Sequence, residues 1–231
     1  IPLSEIRSWL TQATVMDYAP LHNAPYVLAA RERHVITAAG DIIYVRSKAL
    51  NVGDVYGVYR QGERYADPET QETLGYEMRQ VARGLVIEQN GDVASVRLTD
   101  SFQQEVREGD LVLPEQGEAY PPIFYPTNAK NILPGRLIRV MDSVGTAGNN
   151  SVIALNRGAR EGVQPGQVLA IHQRGALVLD PKRRDSVRLP SERAGLVMVF
   201  RSFEKMSYAY VLEAAAPLKV GDEVRPPIDS E

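Results

Sequence analysis

Residues Gly162 to Gly175, GVQPGQVLAIHQRG, decide the fold, because the chain carries an earlier version of them, NVGDVYGVYRQG, from Asn51 to Gly62. Three anchors hold the versions in register: Gly53 with Gly166, Gly62 with Gly175, and Asp67-Pro68 with Asp180-Pro181, each pair 113 positions apart. The echo continues where Arg83-Gly84-Leu85-Val86 answers Ala194-Gly195-Leu196-Val197 at a shift of 111. Val106 to Leu111 answers Leu218 to Glu223 at a shift of 112. A period this long exceeds the roughly 20–50 residues of solenoids and propellers, so the reading is two tandem domains of one fold.

A chain of 231 residues then divides into two domains of about a hundred residues, each large enough for its own core. The formal net charge is −3, and the one dense basic run, Lys182-Arg183-Arg184, follows a turn dipeptide and reads as a solvated hairpin tip. Nucleic acid is therefore not an expected partner. With no cysteine there is no disulfide frame, thiolate ligand or cysteine nucleophile. No run approaches the ~18 apolar residues of a membrane-spanning helix, so no direct membrane span is expected. The start, Ile1-Pro2-Leu3-Ser4, lacks the pattern of a signal peptide and reads as a fragment of something longer.

Four segments follow. Residues 1–24 form a lead-in, in which Leu3, Ile6, Trp9 and Leu10 lie on one face of a short predicted helix. A first β domain spans 25–115. Its runs of β-branched and aromatic residues are separated by turn residues, and Gln89-Asn90-Gly91-Asp92 predicts a type I′ hairpin. A proline-rich stretch, 116–134, reads as a stiff linker. A second β domain, 135–231, repeats the pattern. Two sets of about six short, mostly antiparallel strands predict a mainly β protein of two small β-barrel-like domains, since closure removes the edges that a short open sheet exposes.

Chemistry-bearing residues do not gather. His22, His34 and His172 have no carboxylate or second histidine at metal-site or relay spacing. No GxSxG occurs, and no glycine-rich nucleotide fingerprint is present. The Asp-Pro and Gly-Asp dipeptides recur at matching places in both repeats, as turn formers do. The expectation is a protein with no catalytic residues, metal site or cofactor. Candidate contact residues are the linker aromatics Tyr120, Phe124 and Tyr125, with Tyr208 and Tyr210, which alternate with Ala209 and Val211. That tyrosine face either packs inward or offers a partner an amphipathic patch.

The phrases GRLIRVMDSVGTAGNNSVIALNRGAREGVQPGQVLAIHQRG (135–175), LPSERAGLVMVFRSFEKMSYAYVLEA (189–214) and VGDEVRPP (220–227) carry a resemblance. With APYVLAARERHVITAAGDIIYVRS and YRQGERYADPETQETLGYE before them, they resemble the type IV pilus secretin-associated protein family (TsaP) of Gram-negative bacteria. The resemblance implies a periplasmic protein that associates with the outer-membrane secretin. It also implies an N-terminal LysM module binding peptidoglycan, and a C-terminal part like the C-terminal domain of the flagellar ring protein FlgT. No LysM sequence stands before Ile1, so that module is expected to be missing from this stretch. The resulting expectation is a non-catalytic scaffold at the outer membrane or cell wall, the alternatives being a peptidoglycan- or glycan-binding module of the cell envelope and an envelope hydrolase.

Overall fold

A computed structural model describes residues 13–16, 21–31, 39–102, 104–115, 125–129, 132, 134–141 and 145–227. The helix expected at the N-terminus lies outside them, as does His34. Contacts divide the chain into two compact units: the first holds Ser8–Arg64 and Gly75–Tyr120, the second Tyr65–Leu74 and Pro121–Glu231. Residues 65–74, read from sequence as part of the first domain, thus belong to the second unit.

The strands of the first repeat are β1 (Ala13–Met16), β2 (Tyr26–Ala30), β3 (Ile42–Arg46), β4 (Val55–Ala66), β5 (Thr73–Asn90), β6 (Val93–Ser101) and β7 (Leu111–Pro114). The order β5-β4-β7-β2-β3-β6 returns to β5, so six strands close a barrel, and β1 pairs on the outside with β5. Alternation places Val27, Ile43, Val45, Val58, Val86, Ala94, Val96, Leu98 and Val112 inside it as one core.

The second repeat begins with β8 (Thr127–Asn128), β9 (Gly135–Val140), β10 (Thr146–Ala147), β11 (Val152–Leu155) and a 3-10 turn at Ala159–Glu161. It continues with β12 (Gln167–Gln173), β13 (Leu177–Leu179), β14 (Ser186–Arg188), β15 (Glu192–Ser202), β16 (Ser207–Ala214), β17 (Leu218–Lys219) and β18 (Glu223–Arg225). Its barrel closes in the order β15-β12-β18-β9-β11-β16, which is the first order with each strand replaced by its counterpart. Strand β8, inside the stretch read as linker, pairs in parallel with β12, and the Thr127 N–H donates to the Gly166 carbonyl at 2.8 Å.

Irregularities are duplicated along with the strands. The β2–β3 ladder skips a residue between Val27 and Ala29, as the β9–β11 ladder does between Leu137 and Arg139. The β5–β6 ladder is offset at Arg83/Gly84 and at Val86/Glu88, and β15–β16 at Leu196/Val197 and Val199/Arg201. These bulges pair Gly84 with Val197, a shift of 113, and so correct the sequence match of Gly84 to Gly195. The two registers differ by two residues, which leaves every side chain on the same face, so the apolar pattern could not tell them apart. The hairpin after β5 also differs from expectation. Asn90 pairs with Val93, leaving Gly91-Asp92 as the turn, with positive φ at Gly91, the arrangement of a type II′ and not a type I′ connection.

Gly53 (φ +95) and Gly166 (φ +94) are the clearest case of matched backbone demand, each donating its N–H to the corresponding carbonyl, Val86 or Val199. Space around Gly53 is open, whereas a Cβ on Gly166 would sit 2.8 Å from the Tyr125 carbonyl oxygen on the β8 segment. Gly53→Ala should therefore cost about 1 kcal/mol of backbone strain, and Gly166→Ala distinctly more, read as shifts in urea midpoint. Equal losses would mean that the β8 segment yields freely.

Candidate functional site

The densest polar cluster among the described residues gathers around the turn between β4 and β5, which belongs to the second unit. Asp67 precedes Pro68, and its Oδ1 accepts the N–H of Glu69 and of Thr70, both at 2.9 Å, making an Asx turn. The backbone closes it: Asp67 N–H donates to the Glu72 carbonyl, and Gln71, at φ +62, donates to the Asp67 carbonyl.

Asp67 is only 6 % exposed, and its other oxygen accepts a hydrogen bond from Asn156 Nδ2 at 2.7 Å. The Asn156 Oδ1 in turn accepts the Arg136 backbone N–H, so this buried amide joins the turn to β9. Burial acts to raise the Asp67 pKa, but the N–H donors of Thr70 and Glu69, with the Asn156 amide, together hold it below the ordinary carboxylate value.

Around this point the turn is acidic and its surroundings basic. Arg136 Nε donates to Glu69 Oε1 at 2.9 Å. Arg160 grips Glu72 with both terminal nitrogens, at 2.7 and 2.9 Å, the planar fork geometry that suits a carboxylate. Lys205 Nζ stands 3.4 Å from the same carboxylate. The Arg160 bond, above all, lowers the Glu72 pKa, and Glu72 raises that of Arg160. The glycine at 158 lets this loop run close, since a Cβ there would lie 2.7 Å from the Glu204 carbonyl oxygen.

Next to the polar cluster lies an aromatic one. Tyr208, Ala154 and Arg139 occupy one row across β16, β11 and β9. They face away from the barrel interior, where Ala209 and Val211 point. Tyr65 packs over that row: its ring is 6.3 Å from Tyr208, nearly perpendicular to it, and the Arg139 guanidinium lies 5.6 Å from its centre. The Tyr65 hydroxyl meets that of Tyr208 at 3.2 Å and donates to Met141 Sδ. Phe203 and Phe200 complete the cage, 5.2 and 6.3 Å from Tyr208.

Of the expected contact residues, Tyr208 and Tyr210 are buried, yet on the outer face of the barrel wall and not in its interior. Tyr125 is exposed beside β8, while Tyr120 and Phe124 lie outside the described residues. His22 is exposed, and His172 on β12 stands opposite Arg193 and Glu223. Among the described residues no three histidine or acidic side chains are placed to hold a metal ion, and no helix is long and apolar enough to cross a membrane.

Sequence reading passed over Tyr65, Asp67 as a buried anchor, Asn156 and Arg160. The one available signal was charge: the first turn reads Asp-Pro-Glu-Thr-Gln-Glu, and Asn156-Arg157-Gly158-Ala159-Arg160 opposes it in sign. No family model matches the chain, and no curated protein matches it.

Proposed function

We propose that this chain is a non-catalytic scaffold of the Gram-negative cell envelope, working in the periplasm against the outer-membrane secretin of the type IV pilus. Peptidoglycan would be reached through a LysM module outside these residues. The observation that carries the reading is the use made of the polar side chains: Asp67, Asn156, Arg136, Arg160 and Glu72 hold a β-hairpin turn in place. Groups saturated by one another serve rigidity and not turnover. Two small barrels of one design, with the charged 67–72 turn fixed by such bonds, suit a part that displays edges and loops to a large ring.

The glycan-binding reading needed an exposed tyrosine face, and the burial of Tyr208 and Tyr210 removes its support. The experiment is co-purification. Added to detergent-solubilised secretin, the 231-residue chain should elute with it, and should stay in the supernatant when mixed with purified cell wall. Sedimentation with the wall, together with no retention by the secretin, would overturn the proposal.

A further inference from the structure

The two repeats are equal in fold but not in what covers them. Each carries a hairpin ending in an Asp-Pro turn of the same construction. Asp180 Oδ1 accepts the N–H of Lys182 and Arg183, Asp180 N–H donates to the Asp185 carbonyl, and Arg184 has φ +60, matching Glu69, Thr70, Glu72 and Gln71. In the first repeat the flanking residues Tyr65 and Leu74 are buried, at 3 % and 2 % exposure. Their counterparts at a shift of 113, Val178 and Val187, pair across β13 and β14 and are 39 % and 44 % exposed. Leu177, Leu179 and Leu189 beside them are also exposed, so this hairpin carries five bare apolar side chains in a short stretch.

The receiving faces differ in the same sense. In the second repeat the outer face of β11, β15 and β16, with Val152, Ala154, Met198, Phe200 and Tyr208, is buried, and Tyr65 lies on it. The matched bulges give its counterpart in the first repeat as Ile42, Tyr44, Leu85, Ile87 and Ser95, all partly exposed. Charge is reversed at part of the turn: Lys182 stands where the first turn has Glu69, while Asp185 keeps the acid of Glu72. The acidic first turn sits against Arg160 and Lys205, whereas the second turn is basic, Lys182-Arg183-Arg184. Glu88 and Asp92 stand in its receiving face where the second repeat has Arg201 and Lys205, Asp92 being shared with Arg46. Among the described residues one hairpin and one face are thus buried against each other, while the other hairpin is exposed and the other face partly exposed.

We infer that the β13–β14 hairpin of one copy docks on the outer β3–β5–β6 face of the first repeat of a second copy, as residues 65–74 dock within the chain. Such a contact joins two different surfaces, so it either closes reciprocally between two copies or repeats head to tail into a ring or a filament. Val178 and Val187 take the places of Tyr65 and Leu74, and the basic turn meets Glu88 and Asp92.

The test uses the purified chain alone, by light scattering and native mass spectrometry over rising concentration. Wild type should pass from monomer to higher species, with less assembly at high salt. Val178→Asp kills the hairpin and Tyr44→Arg the face; Ser95→Arg is a second face variant in case Tyr44→Arg melts early. Each variant alone should be monomeric, with the far-UV spectrum of wild type. Mixing Val178→Asp with Tyr44→Arg leaves one live hairpin and one live face, so the mixture should stop at a one-to-one dimer. A wild type monomeric at every concentration, variants that still assemble, or a mixture that gives no dimer would each overturn the inference. No secretin is present in the assay, so its outcome is separate from that of the functional proposal.

Discussion

Replacing Tyr208 with alanine is expected to destabilise the second unit by about 3–5 kcal/mol, the range for removing a large aromatic from a closed core. Tyr208 is fully buried against Tyr65, Phe200 and Phe203, and its loss would empty the cage on which residues 65–74 rest. Tyr208→Phe keeps the ring and loses only the hydroxyl that meets Tyr65, so about 0.5–1.5 kcal/mol is expected. Urea unfolding followed at the second unit distinguishes them. A Phe variant as damaged as the Ala variant would mean that the hydroxyl pair, not ring packing, holds the turn.

Asp67→Ala should cost about 2–3 kcal/mol, because it strips the turn of its acceptor and leaves the buried Asn156 amide without its carboxylate partner. The duplication supplies a control. Asp180 accepts the corresponding two N–H groups but is less buried, and among the described residues no side-chain amide bonds it as Asn156 bonds Asp67, so Asp180→Ala should cost clearly less in an isolated chain. Equal losses would show that turn geometry alone, without burial, accounts for the effect.

A pH dependence follows with a fixed sign. The folded Asp67 and Glu72 both titrate below their ordinary values. Their stabilising contribution is therefore full above the unfolded carboxylate range, near pH 4, and is lost as pH falls through the lower folded values. Wild type should lose stability on acidification more steeply than Asp67→Ala, which has already lost part of that contribution. A variant with the same acid slope as wild type would exclude Asp67 as a source of it.

The amino-acid sequence by itself determined the duplication, the β class and the Asp-Pro turns, because each is local. Gly53 and Gly166 must adopt positive φ, Asp67 and Asp180 bond N–H groups two and three residues on, and apolar alternation marks strands wherever one face is buried. Pairing of Gly84 was missed by two residues because period-two alternation is blind to such a slip, and only the bulges at Arg83/Gly84 and Leu196/Val197 resolve it. Tertiary structure alone decided that Tyr208 and Tyr210 face a packed layer, since an alternating strand looks the same whether its outer face meets water or another segment. It alone, too, decided that the aspartate of one Asp-Pro turn is buried and that of its twin only partly so. Both have one local geometry, and what separates them is contact with residues about ninety positions away: Asn156 and Arg160 for the first, with Val178 and Val187 left open beside the second.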